Sequence, residues 1–371
     1  MTKKRRLGSA DFVLVVMTLA MVSFGVIMVF SASYYGSIDQ YGNPYYYLIK
    51  DMIWACTGFV MMIGTMIIDY HKYRKWGNLL MAFAVVLLIL VLVAGQEVNG
   101  ATRWIGFGPI TIMPGELTKI CVIIFVASFL CGDVKKVNNF SKGILPLLVL
   151  CGVVGALILK QPNMSTAITV VGIVVAMMFV AGLEMKYFAG LMGLGIVGAI
   201  GIILAGGGYK LARATSFLDP FKDQQGDGYQ VVQGLLALGS GGLFGTGLGK
   251  SLQKNLYLPE AQNDFILAII GEELGFIAII VLFAVYLFMI WRGIKIALAA
   301  PDRFGMLLAS GITMMIGIQL LLNVAVVTSS MPPTGVTLPF ISYGGNATWL
   351  FMGSMGILLN ISRQIPKEEN K

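Results

Sequence analysis

Few side chains in this sequence are equipped for chemistry, and most of them are carboxylates. Asp264 stands in front of an apolar run in LPEAQNDFILAIIGEELG (258–275), and Glu272 and Glu273 sit inside that run. In MPGELTK (113–119), Pro114 suits a helix start, and Glu116 and Lys119 fall at i, i+3 on one helix face. Arg103 and Trp104, just upstream, offer a guanidinium for phosphate and an indole for the headgroup level of a membrane. The single histidine, His71, lies in a basic connection far from these residues, so no Ser–His or zinc–His site can be built with them. Cys56, Cys121, Cys131 and Cys151 fall in apolar runs without metal-ligand spacing and read as packing residues. There is no Walker loop, and GGLFGTGLGK (241–250) lacks the strand-then-helix context of a phosphate cradle, so it reads as a tight turn. Acid–base work must therefore fall to carboxylates, with Lys and Arg available for anions.

Each group has two readings. Asp264 before an apolar helix suits an N-terminal cap as well as a base. Glu272 lies eight residues further on, about 12 Å deeper at 1.5 Å per residue, and close to the same helix face. An acidic residue within a membrane span costs roughly 2.5–3.5 kcal/mol on insertion scales and normally faces a polar interior. Glu272 and Glu273 are thus polar intramembrane residues with either a structural role or a place in a pathway. Glu116 and Lys119 form an intrahelical pair or line a cavity, and Trp104 serves as an interfacial anchor or part of that cavity.

The elements that must position these groups are membrane helices. Hydrophobic residues make up 57% of 371 positions and charged residues 12%, a composition outside that of soluble domains. Ten apolar runs, at about 11–31, 46–68, 76–95, 115–132, 143–159, 164–183, 187–206, 265–292, 304–327 and 340–362, are long enough to span as helices. The first is too long, and too closely followed by others, to be a cleaved signal peptide. The expected fold is a single all-α polytopic membrane domain over 1–371, with tails at 1–10 and 363–371. The net charge of +8 reads as topogenic rather than as a nucleic-acid footprint. Lys3, Lys4, Arg5, Arg6, Lys72, Arg74, Lys75, Lys135, Lys136, Arg292 and Lys295 then lie on one side, which places both termini in the cytoplasm. The opposite face receives the unusual segments, including one long loop at 207–263 between the seventh and eighth spans. That loop is too apolar and Gly-rich at 229–245 to be slack, and reads as an interfacial or re-entrant element.

GYQVVQGLLALGSGGLFGTGLGKSLQKNLYLPEAQNDFILAIIGEELG (228–275) and PPTGVTLPFISYGG (332–345), with GATRWI, PGELTK and QPNMSTA in the same order, resemble the SEDS family (shape, elongation, division and sporulation) over nearly the whole chain. The likeness is greater to its FtsW and SpoVE branches than to RodA. It implies a peptidoglycan glycosyltransferase in the bacterial cytoplasmic membrane that polymerises lipid II on the outer face, for cell division, cell shape or sporulation. It also implies a class B penicillin-binding protein as partner. Asp264 matches the family's catalytic aspartate, and Glu116 and Lys119 match its outer cavity. Arg103, Gln161 and Asn163 join them as expected substrate-binding residues. The chemistry agrees: a sugar hydroxyl needs a base, and a departing pyrophosphate needs positive charge from Lys, Arg or a divalent cation such as Mg or Mn.

The sequence departs from the family pattern in places. Asn163 and Ser165 replace a usual Asp and Gly, Met113 and Gly115 a Gln and Ser, and Gln262 and Asn263 precede Asp264. Without a carboxylate at 163 the metal is an open question, and a specialised paralogue is implied. Two other functions stay open from the sequence: a lipid II flippase, which the intramembrane glutamates would suit, and an inactive scaffold that recruits the penicillin-binding protein.

Overall fold

The computed structural model describes residues 8–98, 101–107, 110–205, 217–223, 226 and 228–366. Lys3, Lys4, Arg5 and Arg6, on which the orientation partly rests, lie outside them, as do 207–216 of the long loop.

Helices fall on all ten apolar runs: α1 (Phe12–Tyr41), α2 (Tyr46–Ile67), α3 (His71–Ala94), α4 (Pro114–Leu130), α5 (Leu145–Leu159), α6 (Met164–Val180) and α7 (Met185–Ala205) precede the long loop. Within the loop lies α8 (Tyr229–Ser240), and α9 (Ile266–Leu298), α10 (Arg303–Val327) and α11 (Gly345–Ser362) follow. Among the described residues, six helical stretches are long and apolar enough to cross a membrane: α1, α2, α3, Phe140–Leu159, α9 and α10. The chain is a multi-pass membrane protein. α4 and α6 are only 17 residues long.

α10 is the central pillar, packed against α4, α6, α9 and α11. α11 is buried on nearly every face, as expected of a helix apolar all round. Its glycines let α2 approach closely: a Cβ on Gly356 would stand 2.2 Å from the Met62 carbonyl. Buried apolar side chains from α1 to α11 form one continuous core.

Two features depart from the expected all-helical picture. The segment after α3 folds as a small antiparallel meander, β1 (Gln96–Val98), β2 (Ala101–Phe107) and β3 (Ile110–Ile112), and β2 carries Arg103. From β3 the chain passes directly into α4, with Pro114 in its first turn, where a missing N–H costs nothing.

The second departure is a break in α9. Gly275 has φ 82° and ψ 179°, so Ile266–Leu274 is a short helical entry and the longer stretch begins at Phe276. The amides of Phe276 and Ile277 would pair with Glu272 and Glu273 carbonyls in an unbroken helix. They donate instead to the Gly242 and Leu243 carbonyls, at 2.9 and 3.2 Å. The freed Glu272 and Glu273 carbonyls accept from the amides of Thr246 and Gly247, each at 2.9 Å. A strip of the long loop is thus inserted into the helix ladder, and these four displaced backbone groups find partners in it. Gly245, at φ 79°, makes this possible, because a Cβ there would stand 2.2 Å from the Glu273 carbonyl oxygen.

The stretch of loop just after this strip, with α1, receives both glutamate side chains. Glu273 accepts from Lys254 Nζ at 2.8 Å and from Ser31 Oγ of α1 at 2.7 Å. Glu272 accepts from the amide of Leu252 at 2.8 Å and from the Ser251 hydroxyl. Both carboxylates are almost fully buried. They stand before the Gly275 break, and their partners come from the loop and α1.

Candidate active site

Asp264 sits two residues before α9. Phe265 is the N-cap of that helix and no side chain caps it, so the Asp264 carboxylate is not spent on capping. It remains half-buried and lies against the 332–345 segment, where a Cβ on Gly335 would stand 2.9 Å from Oδ2. Three bonds hold its loop to that segment and to α10. Asn323 Nδ2 donates to the Asp264 carbonyl at 2.9 Å, Ser342 Oγ to the Asn263 carbonyl at 2.6 Å, and the Tyr343 amide to the Gln262 carbonyl at 3.0 Å.

The surroundings of Asp264 tune its acidity. Its carboxyl is pushed up to about 7, chiefly by burial, with Glu260 and Glu116 also raising it and Arg103 opposing them. A carboxyl that loses its proton near neutrality is suited to a base.

Behind Gly335 lies a narrow polar cavity lined by Glu116, Lys119, Ser165, Thr169, Gln319 and Thr337, among others. Lys119 Nζ donates to Glu116 Oε1 at 2.6 Å, and both side chains are buried. The intrahelical pair and the cavity lining, alternatives in the sequence, occur together. Of the lining side chains, Glu116 Oε2, Gln319 Oε1 and Thr337 Oγ1 are buried with no partner among the described residues. So many unmatched polar atoms around one space fit a site that receives polar groups from outside. The first turns of α4 and α6 meet beside it: a Cβ on Gly115 would lie 3.4 Å from Thr166 Cγ2. Two adjacent helix N-termini favour an anion.

The other expected residues take more local roles. Arg103 Nε donates to the Gln161 carbonyl at 3.2 Å, and Nη2 donates to the Pro162 carbonyl. Its guanidinium thus ties the meander to the turn before α6 while acting on Asp264 through charge. Gln161 is buried with its amide on the Leu88 carbonyl at 3.1 Å, so its side chain belongs to the α3 contact. Asn163 is the N-cap of α6, accepting from the Thr166 amide at 3.2 Å and the Ser165 hydroxyl at 3.1 Å. Among the described residues no three of His, Cys, Asp or Glu come together as a ligand set.

Sequence reasoning missed Gln319, Asn323, Ser165 and Thr337. The first two carried a readable signal, since polar residues at i, i+4 in an apolar helix ask for a polar neighbour. Ser165 bridges two motifs by donating to the Gly335 carbonyl at 2.9 Å, which no local pattern reveals.

Comparison with known proteins finds relatives along nearly the whole chain. The FtsW/RodA/SpoVE family, described as cell cycle protein, matches residues 11–367. Stage V sporulation protein E of Bacillus subtilis (strain 168) is 41% identical over 365 residues, covering 98% of this chain and 99% of that protein. A probable peptidoglycan glycosyltransferase FtsW of Geobacter sp. (strain M18) is 38% identical over 365 residues, covering 97% and 99%. A chain of a solved peptidoglycan synthase complex, described as coordinating polymerization and crosslinking, superposes with a TM-score of 0.79 at 26% identity, covering 95% of this chain and 98% of that one.

Proposed function

From the premise that this chain belongs to the FtsW/RodA/SpoVE family of cell cycle proteins, we propose that Asp264 is the base of the peptidoglycan glycosyl transfer it performs. The substrate in this reading is lipid II, presented at the outer face of the cytoplasmic membrane. The observation that carries the assignment is Asp264 itself: a carboxyl raised to about 7, not used for capping, at the edge of a polar cavity that contains Lys119.

In the reaction a sugar hydroxyl of one lipid-linked disaccharide attacks the anomeric carbon of another. Asp264 takes the hydroxyl proton as the glycosidic bond forms, and the bond to the pyrophosphate breaks with its electron pair on the leaving oxygen. Lys119, Arg103 and the N-termini of α4 and α6 offer positive potential to that leaving group. Glu116 holds Lys119 by a buried bond, which fixes where its charge stands. A divalent cation, Mg or Mn, belongs to the proposal as a further source of positive charge for the pyrophosphate, and the unpartnered Glu116 Oε2 is the oxygen that would hold it.

The topology that goes with this reading has ten spans, both termini in the cytoplasm, and the meander, the loop carrying α8 and the 332–345 segment on the outer face. A class B penicillin-binding protein is the proposed partner, which would cross-link the glycan as it emerges.

Polymerisation of labelled lipid II, read as a glycan ladder on a gel, tests the assignment. The protein is assayed with and without a co-expressed class B partner. Wild type should give a ladder, and Asp264→Asn none while keeping its fold and partner. A ladder from Asp264→Asn would remove the base assignment, and no ladder from wild type under any condition would direct attention to lipid flipping.

A further inference from the structure

Asn323 has no exposed surface and stands in the middle of an apolar stretch of α10. An amide in that setting persists only when its hydrogens have acceptors. Both Nδ2 hydrogens are used, and both go to main-chain carbonyls: Asp264 at 2.9 Å and Val336 at 2.7 Å. These carbonyls belong to segments some seventy residues apart in sequence. One ends the loop that presents the carboxylate. The other directly follows Gly335, the residue against which the carboxylate rests.

Ser342 and Tyr343 also pin this loop, but they hold residues 263 and 262. Among the described residues, Asn323 is the side chain that grips residue 264 and the Gly335 strip together. Its Oδ1 has no partner among the described residues, so the amide is aimed by its two donated bonds alone.

We infer that Asn323 is a positioning residue for the glycosyl transfer: its amide fixes the gap between the Asp264 carboxylate and the Gly335 segment, and so sets the aim of the base and keeps water from behind it. The inference rests on the reading of Asp264 as the base.

The physical consequence of losing the amide is specific. Two buried carbonyls lose their donor, and such groups recover hydrogen bonds by moving toward water. Parting the two segments moves the carboxylate off its line and lets water reach it. A displacement of about 1 Å at a reacting group costs about a hundredfold in rate. Water at the carboxylate also favours its charged form, so the acid limb of activity moves to lower pH. Glu260, Arg103 and Glu116 are the charged groups that act on Asp264, and none is altered by the substitution, so the shift reports on burial.

The experiment compares wild type, Asn323→Ala, Asn323→Ser and Asp264→Asn in steady-state polymerisation of labelled lipid II, with the class B partner present and the pH varied on both sides of 7. Fold is checked by gel filtration and Tm. Asn323→Ala should lose about a hundredfold in kcat, keep KM within about twofold, and shift its acid limb down by about one pH unit. Asn323→Ser, which can donate one bond, should fall between. A folded Asn323→Ala with wild-type kcat overturns the inference. So does a fall in kcat with an unmoved acid limb, which marks general loss of structure, and so does a rise in KM alone. If Asn323→Ala does not fold, Asn323→Ser is judged by the same criteria. Activity in Asp264→Asn would instead remove the base reading, so the two failures are separable.

Discussion

The Asp264 carboxylate rests against the α-carbon of Gly335, and a single methyl group there would stand 2.9 Å from Oδ2. The backbone of Gly335 is not in the left-handed region, so alanine is free of conformational strain and acts only by displacing the carboxylate. Gly335→Ala should therefore fold normally and lose about ten- to a hundredfold in glycan polymerisation. Initial rates with labelled lipid II check this, and near-normal rates would show that the carboxylate tolerates the move.

Activity should also follow the ionisation of Asp264. Below about 7 its carboxyl holds a proton and cannot take another. The rate should fall about tenfold for each pH unit below that point and level off above it. The same shift carries a stability consequence of definite sign. A carboxyl raised in the folded state favours folding while protonated, and that contribution is lost as pH rises through about 7. Asp264→Asn should thus raise Tm at alkaline pH and leave it unchanged under acid conditions, as expected where a site gives up stability for function.

Two neighbours should move the acid limb in opposite directions. Glu116 raises the Asp264 carboxyl and Arg103 lowers it. In rate–pH profiles Glu116→Gln should shift the limb down and Arg103→Met should shift it up, each by about half to one pH unit. Shifts of the same sign would mean that their effects pass through structure and not charge.

The helical frame was legible because twenty-residue apolar runs allow little else, and each of the ten became a helix. Asp264 was legible for a similar reason, standing alone at the edge of such a run. The break at Gly275 was not. A run of Ile, Leu, Ala and Phe carries no mark of interruption, and the cause lies in residues 242–247, whose amides and carbonyls compete for the same ladder. The meander was hidden by its short strands and glycines. Gln161 and Asn163 stood out as members of a motif, yet their side chains turn to α3 and to the start of α6. A motif marks a place in the fold, and it leaves open which way a side chain points.

The buried pair of Lys254 and Glu273 gives a prediction about stability. Lys254→Met leaves the Glu273 carboxyl without its cation in a space closed to water, with Ser31 as its remaining side-chain partner. The loss should be about 3–5 kcal/mol, and Lys254→Met combined with Glu273→Leu should recover a large part of it. Thermal unfolding in detergent, followed by the exposure of Cys121 to a thiol reagent, measures both. A double variant no better than the single would show that the loop needs the carboxylate for its backbone bonds as well.

The strip threaded into α9 also bears on how the chain is assembled. Residues 241–247 leave the ribosome before residues 266–277, so the Gly242 and Leu243 carbonyls and the Thr246 and Gly247 amides must wait for these partners until the later segment arrives. A fragment that begins at Ile266 has no strip to accept, and its Phe276 and Ile277 amides would close onto Glu272 and Glu273 to give one straight rod. This stretch of sequence therefore holds two backbone pairings, and which of them forms is decided by a segment that has already been made.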